Sequence, residues 1–162
     1  MGNVPGFTLR VMTRSDLVAV ARLEEELFAP SAWSYEVLDD ELHTSGRFYI
    51  VAEQENVGPI GIESVPRVRG YGGIAVGEMS EIMTVGVSET VRGQGMGRAI
   101  MEKLLAHADA SPTEAIFLEV ATTNTIAKNL YESLGFITTR VRKGYYQPEN
   151  LDAIEMRRDK QA

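Results

Sequence analysis

Three glycines fall within the six residues Arg92-Gly93-Gln94-Gly95-Met96-Gly97. The loop lies between an apolar run, Glu81 to Val87, and a stretch whose apolar residues Ile100, Met101, Leu104, Leu105 and Ala108 recur at helical spacing. A strand that enters such a turn and a helix that leaves it constrain the chain strongly. Glycine lets the backbone take positive φ and approach a ligand closely. The first N–H groups of the following helix, helped by its dipole, favour an anion. Arg92 and Arg98 add positive charge. No Gly-Lys-Ser/Thr follows, so this is not a Walker loop, and the spacing also departs from the dinucleotide-binding fingerprint. Taken alone, the segment reads equally well as a plain structural turn.

The remaining elements follow from periodicity and punctuation. A first strand is predicted over Phe7 to Val11, then a helix capped by Thr13 or Ser15 with an apolar face of Leu17, Val20, Ala21 and Leu27. Ala29, Pro30 and Ser31 break it, and Ser34 caps a short second helix carrying Val37, Leu38 and Leu42. Strands are predicted over Phe48 to Ala52 and Pro59 to Val65. Gly70, Gly72, Gly73 and Gly77 then suggest a long flexible loop over 66–77 before the strand Glu81 to Val87. Beyond the Gly-rich loop and its helix comes a strand, Ala115 to Val120. Asn124 caps a helix expected to bury Ile126, Ala127, Leu130, Tyr131 and Leu134, and Gly135 ends it as a left-handed C-cap. Ile137 to Val141 and Ala153 to Met156 form a last strand pair joined by a long loop. This order predicts an α/β fold in one domain, 1–162: a mixed central sheet of about six to seven strands with helices on both faces.

Composition narrows the chemistry. The chain has no cysteine, which excludes disulfides, a cysteine nucleophile and thiolate metal sites. His43 and His107 lie far apart, so no metal site is expected. The first ten residues lack the charged-then-apolar pattern of a secretory signal, and no apolar run approaches the length of a membrane span; a cytoplasmic protein is expected. A net charge of −7 argues against broad nucleic-acid binding. The acid is concentrated: residues 23–46 carry Glu24, Glu25, Glu26, Glu36, Asp39, Asp40 and Glu41 without Lys or Arg. Such a cluster is either a solvated helix face or a field that attracts a cationic substrate.

The succession of strand, Arg-x-x-Gly-x-Gly, helix, strand and Asn-capped helix bearing a tyrosine resembles the GNAT superfamily of N-acetyltransferases. The likeness covers essentially the whole chain and is strongest from Glu81 to Tyr146. Leu118-Glu119-Val120, Asn124, Ala127, Leu130-Tyr131-Glu132-Ser133-Leu134-Gly135-Phe136, Arg142, Tyr145-Tyr146, Asp152-Ala153 and the earlier Trp33-Ser34 are similar to the RimI-type branch, the ribosomal-protein alanine N-acetyltransferases. The resemblance implies acetyl-CoA as co-substrate and no metal. It implies that the backbone of Val85, Gly86 and Val87 pairs with the pantetheine arm. Arg92, Gly93, Gln94, Gly95, Met96, Gly97 and Arg98 would hold the pyrophosphate, and Asn124 would bind near the thioester. Glu119 would be general base and Tyr131 general acid, with Trp33, Glu81, Tyr145 and Tyr146 on the acceptor side and Glu81 a rival base. The implied acceptor is the N-terminal alanine of a basic small-ribosomal-subunit protein. A lysine or small-molecule amine, or a non-catalytic acetyl-CoA-binding module, are the alternatives.

Elementary chemistry bears on these roles. A carboxylate between Leu118 and Val120 is costly in a buried strand unless it is paired or used, and burial makes it a stronger base. Tyr131 falls on the apolar stripe of its helix, where a core tyrosine is the ordinary occupant. A phenol near pKa 10 is a weaker acid than a thiol near 8.5, so full proton transfer to a departing thiolate is uphill by about 2 kcal/mol. A free α-amine, with pKa near 7.7 to 8.0, is neutral in roughly a tenth of molecules at pH 7, whereas a lysine rarely is. Three departures from the branch fall on the acceptor side: Leu151 before the Asp-Ala pair, Pro30 three residues before Trp33, and the long glycine-rich 66–77 segment.

Overall fold

Successive residues of a strand point to opposite faces of a sheet, so apolar runs such as Tyr49-Ile50-Val51-Ala52 can meet helices on both sides. A computed structural model of the chain describes residues 3–55 and 67–162. Its strands are β1 (Phe7–Val11), β2 (Arg47–Gln54), β3 (Val68–Ala75), β4 (Met79–Val87), β5 (Ala115–Ala121), β6 (Ile137–Tyr146) and β7 (Leu151–Asp159). Its helices are α1 (Leu17–Phe28), α2 (Tyr35–Leu42), α3 (Met96–Asp109) and α4 (Thr125–Ser133). The strands form one seven-stranded sheet in the order β1-β2-β3-β4-β5-β7-β6, antiparallel except for the β4–β5 pair. The mixed sheet is present, as are the four predicted helices and the strands predicted from Phe7, Phe48, Glu81, Ala115, Ile137 and Ala153. The strand expected over Pro59 to Val65 lies outside the described residues.

Helices cover both faces. On one, α3 buries Ile100, Met101, Leu104, Leu105 and Ala108 against Ile74, Ile82, Ile116 and Leu118. On the other, α1 and α2 bury Leu17, Val20, Leu23 and Leu38 against Tyr49, Val51 and Tyr71. At 1.5–3 kcal/mol for a fully buried large apolar side chain, these two layers are the main stabilising term. The helix starts follow the expected chemistry. Ser34 Oγ accepts from Val37 N at 3.2 Å, and Asn124 Oδ1 accepts from Ala127 N at 3.2 Å. Thr13 and Asp16 form a capping box on a short 3₁₀ turn that leads into α1.

Three expectations need correction. The 66–77 segment is not a long flexible loop; most of it is β3, an interior strand paired with β2 and β4. Its glycines mark close packing rather than turns. A Cβ on Gly73 would collide with the Tyr49 ring lying across it, and one on Gly86 of β4 would fall 2.5 Å from Tyr71 Cζ. Glycine in a strand interior often signals such an approach. Second, Ile126 is 87% exposed and not buried. The helix meets the core through Ala127, Tyr131 and Leu134, which are partly buried. Spacing identifies the apolar stripe but not the point at which a helix loses contact with the sheet. Third, the last two strands are longer than predicted and joined by the four-residue turn Gln147 to Asn150. The polar residues read as loop belong to a hairpin, in which Asp152 accepts from Gly144 N at 2.9 Å and from Lys143 Nζ at 3.0 Å.

The β4–β5 junction shapes the centre of the molecule. The pair holds only from Met79–Glu81 to Ala115–Phe117. Beyond it β4 continues against β3 to Val87, while β5 continues against β7 to Ala121, so the two strands part. Within β4, Gly73 pairs with Thr84 but Ile74 pairs with Ile82, which leaves Met83 as the extra residue of a β-bulge.

Candidate active site

The parting strands open a cavity of about 480 Å³, within the range usual for small-molecule sites. Ile82 to Val85 of β4 form one wall and Leu118 to Ala121 of β5 the other. Asn124 and Tyr131 enter from α4, Glu24 and Leu27 from α1, Trp33 from the α1–α2 segment, and Tyr146, Glu149 and Leu151 from the β6–β7 hairpin. Ser31 Oγ donates to Gln147 O at 3.0 Å, which ties the α1–α2 segment to the hairpin turn.

Glu119 and Tyr131, predicted from different elements, therefore line one space. From Ile116 onward β5 is fully buried only on its α3 side; Phe117, Glu119 and Ala121 face the other way and are half-buried. The Glu119 side chain is 16% exposed, with Oε1 3.3 Å from Arg142 Nε. Its Oε2 is buried and has no hydrogen-bond partner among the described residues. Burial raises its pKa above the usual carboxylate range. Arg142 opposes that shift, and Glu155 and Glu81 add to it. Arg142 is itself shared, with Nη2 3.3 Å from Glu155 Oε2 and its guanidinium 5.5 Å from the centre of the Tyr145 ring. An under-bonded carboxylate with raised proton affinity is suited to accept a proton. Tyr131 packs edge-on to Phe136 at 6.1 Å, and burial pushes its phenol up to about 12. Tyr146 is likewise raised to about 12, by burial first and then by Tyr145 and Glu119.

The Gly-rich loop lies where β4 runs into α3. Gly93 and Gly95 take φ of +79° and +82°, a region that other residues occupy only with strain. Gly95 is the N-cap of α3, with no side-chain cap and no acidic residue in the first turn. The first N–H groups of the helix therefore meet no carboxylate of their own, an arrangement that fits a pyrophosphate. Two side chains add less than their sequence position suggested. The Met96 side chain is buried in the core, and Arg98 Nη2 donates to Ser133 Oγ at 2.7 Å, tying α3 to α4. Arg92 is exposed, 3.9 Å from Glu89.

The other predicted residues divide between the cavity and its margins. Val85, Asn124, Trp33 and Tyr146 line it, whereas Gly86 and Val87 continue β4 toward the loop. Glu81 is exposed and stands opposite Phe117, two residues from Glu119, before the strands part. Tyr145 is 44% exposed and stacks edge-on against Tyr146 at 5.0 Å. Glu24 and Thr84 are among the lining residues that were not anticipated. Glu24, counted in the acidic cluster, is only 2% exposed and accepts hydrogen bonds inside the protein. Its position on the Leu17–Val20–Leu27 face of α1 was the available signal. Among the described residues no group of three or more His, Asp or Glu side chains is placed to hold a metal ion, and no helix is long and apolar enough to cross a membrane.

Known proteins share this architecture. The profile of the acetyltransferase (GNAT) family matches residues 16–136. The chain is 32% identical over 155 residues to the N-alpha-acetyltransferase RimI of Mycobacterium tuberculosis, covering 94% of this chain and 92% of that one. It is 33% identical over 156 residues, 93% of its length, to an uncharacterised Mycobacterium leprae protein, of which it spans 40%. The fold is similar to the crystal structure of the ribosomal-protein alanine N-acetyltransferase of Escherichia coli, with a TM-score of 0.80, 23% identity, and 96% and 95% of the two chains covered. It is also similar to Arabidopsis thaliana NAA60 in complex with acetyl-CoA, with a TM-score of 0.83, 19% identity, and 94% and 98% covered.

Proposed function

Because this chain belongs to the acetyltransferase (GNAT) family, we propose that it acetylates the N-terminal alanine α-amine of a small-ribosomal-subunit protein. Glu119 is the base and Tyr131 the hydrogen-bond donor to the departing sulfur. The carrying observation is that Glu119 and Tyr131 meet in the cavity between the parted strands, beside Asn124 and Val85. The likeness to a RimI of similar length supports the choice of an α-amine.

Acetyl-CoA supplies the acetyl group as an activated thioester. The chain's part is to bind, orient and move protons. The backbone of Val85, Gly86 and Val87, bordering the gap between β4 and β5, would pair with the pantetheine arm as a strand does. The loop from Arg92 to Arg98 would hold the pyrophosphate on the N–H groups of α3. Arg92, 3.9 Å from Glu89, and Arg98, which donates to Ser133, would add positive charge beside it.

The acceptor enters as an ammonium and must lose a proton to attack. An α-amine needs little help, since roughly a tenth is already neutral at pH 7. Glu119, raised by burial and with Oε2 under-bonded, takes that proton directly or through one water. Glu81 then acts through its charge on Glu119 rather than as the base. Tyr131 is sharpened in the opposite direction. With its phenol near 12 and a thiol near 8.5, full proton transfer is uphill by about 5 kcal/mol. Tyr131 therefore stabilises developing charge on sulfur by a hydrogen bond, and the thiolate takes, through solvent, the second proton that the attacking nitrogen sheds as the amide forms. Trp33, Tyr145 and Tyr146 flank the acceptor.

Short peptides test the acceptor. Acetylation of a free N-terminal alanine peptide, and none of the same peptide with a blocked N-terminus and one lysine, is the expected result. The reverse pattern assigns the chain to lysine acetylation.

A further inference from the structure

Glu24 is the most deeply buried carboxylate facing the cavity, and the chemistry above makes no use of it. It lies on the inner face of α1, 2% exposed. Its Oε1 accepts from the backbone N of Trp33 at 3.0 Å. Its Oε2 accepts from Thr84 Oγ1 at 3.0 Å and from the Tyr71 hydroxyl in a short hydrogen bond. Burial and the neighbouring carboxylate push the Tyr71 phenol upward, so that hydroxyl stays protonated and remains a donor.

The three donors come from places with different duties. Trp33 belongs to the α1–α2 segment and lines the acceptor side. Thr84 directly follows the Met83 bulge on β4, the strand that walls the donor side. Tyr71 lies on β3, its ring packed across Gly86 two residues further along β4. A buried charge is costly unless each oxygen is satisfied, and removal of one donor leaves the carboxylate short. The carboxylate is therefore tied simultaneously to both sides of the reaction.

We propose that Glu24 is a positioning residue that fixes the acceptor wall at Trp33 relative to the bulged donor strand at Thr84. Helix α1 provides the rigid arm, and one side chain sets the spacing between amine and thioester. The proposal needs only acetyl transfer to an amine and holds whether that amine is an α-amine or a lysine.

Trp33 is the only tryptophan in the sequence and gives a direct readout. The test pairs E24Q, which keeps the shape but removes the charge and replaces one acceptor oxygen with an NH2 group, with T84V, which keeps the carboxylate and removes the β4 tie. Trp33 emission and its quenching by acrylamide are measured on each variant without any substrate. Steady-state kinetics follow, using whichever of the two peptides the unaltered protein acetylates. In both variants, with far-ultraviolet circular dichroism unchanged, Trp33 emission should shift to the red and quench more easily. KM for the peptide should rise about tenfold, the scale of one lost hydrogen bond to a charged group, while KM for acetyl-CoA stays constant. A T84V effect on Trp33 is the discriminating result, because the altered residue is on another strand. Unchanged Trp33 emission and peptide KM in T84V, with only a lower melting temperature, would overturn the proposal and make Glu24 a stabilising group alone. If E24Q does not fold, T84V carries both readouts. The fluorescence arm needs no acceptor, so failure of the alanine reading leaves it intact.

Discussion

The proposed donor and acceptor sides of the cavity are built from different materials. On the donor side, from Val85 to Arg98, the useful groups belong to the backbone: the parted edge of β4, two glycines at positive φ, and the uncapped start of α3. Side chains there are largely committed elsewhere, Met96 to the core and Arg98 to Ser133. On the acceptor side the useful groups are mostly side chains held by others: Glu119 by Arg142, Arg142 by Glu155, Tyr145 against Tyr146, with the backbone N of Trp33 held by the Glu24 side chain. A backbone site tolerates many side chains provided the glycines remain. A side-chain site fails at single positions and can be retuned at single positions.

The largest expected effect tests the acceptor side. E119Q should lower kcat by about a hundredfold or more, the scale of a lost general base, while the affinity for acetyl-CoA in calorimetry stays the same. Near-normal turnover would pass the role to Glu81 or to water. Next in size, Y131F should slow transfer by about a hundredfold, as expected for one lost donor to developing charge. Single-turnover kinetics separates that from product release, and an unaffected rate returns Tyr131 to the core. On the donor side, G95A should weaken acetyl-CoA binding by about tenfold, since a Cβ at φ +82° costs about 1–2 kcal/mol. KM for the peptide should not move; if it does, the division between the two sides is wrong. The smallest effect is one of pH. The cation of Arg142 lowers the proton affinity of Glu119, so R142Q should shift the acid limb of kcat/KM to higher pH, with a loss that is greatest on that limb and shrinks above it. A limb that stays in place would separate Glu119 from the observed ionisation.

The same division explains what was legible in the sequence. Glycine spacing, helix caps and apolar periodicity are local signals, and they located the Gly-rich loop, Ser34, Asn124 and the α3 stripe correctly. Glu119 stands out as a carboxylate between apolar neighbours, whereas Tyr131, an ordinary core residue by its spacing, is singled out by the family resemblance alone. Glu24 was hidden in a run of three glutamates: its burial depends on Tyr71, Thr84 and Trp33, which no local window contains. Gly70, Gly72 and Gly73 misled for a related reason. A glycine that opens a turn and a glycine that makes room for Tyr49 are the same letter, and only the neighbouring strand tells them apart. Ile126 was misread because periodicity has no information about where the sheet ends.

The short β4–β5 pairing has a mechanical consequence. Among the described residues, the sheet pairing that joins the four strands β1 to β4 with the three strands β5, β7 and β6 runs only from Met79–Glu81 to Ala115–Phe117, with Glu114 N donating to Glu78 O just before it. The two halves are thus laced at one end and spread at the other, like a book bound along part of its spine. A ligand whose amides pair with β4 continues the lacing. Slowed hydrogen exchange should then appear along both margins, on β4 from Ile82 to Val87 and on β5 from Leu118 to Ala121, even where the second margin never touches the ligand.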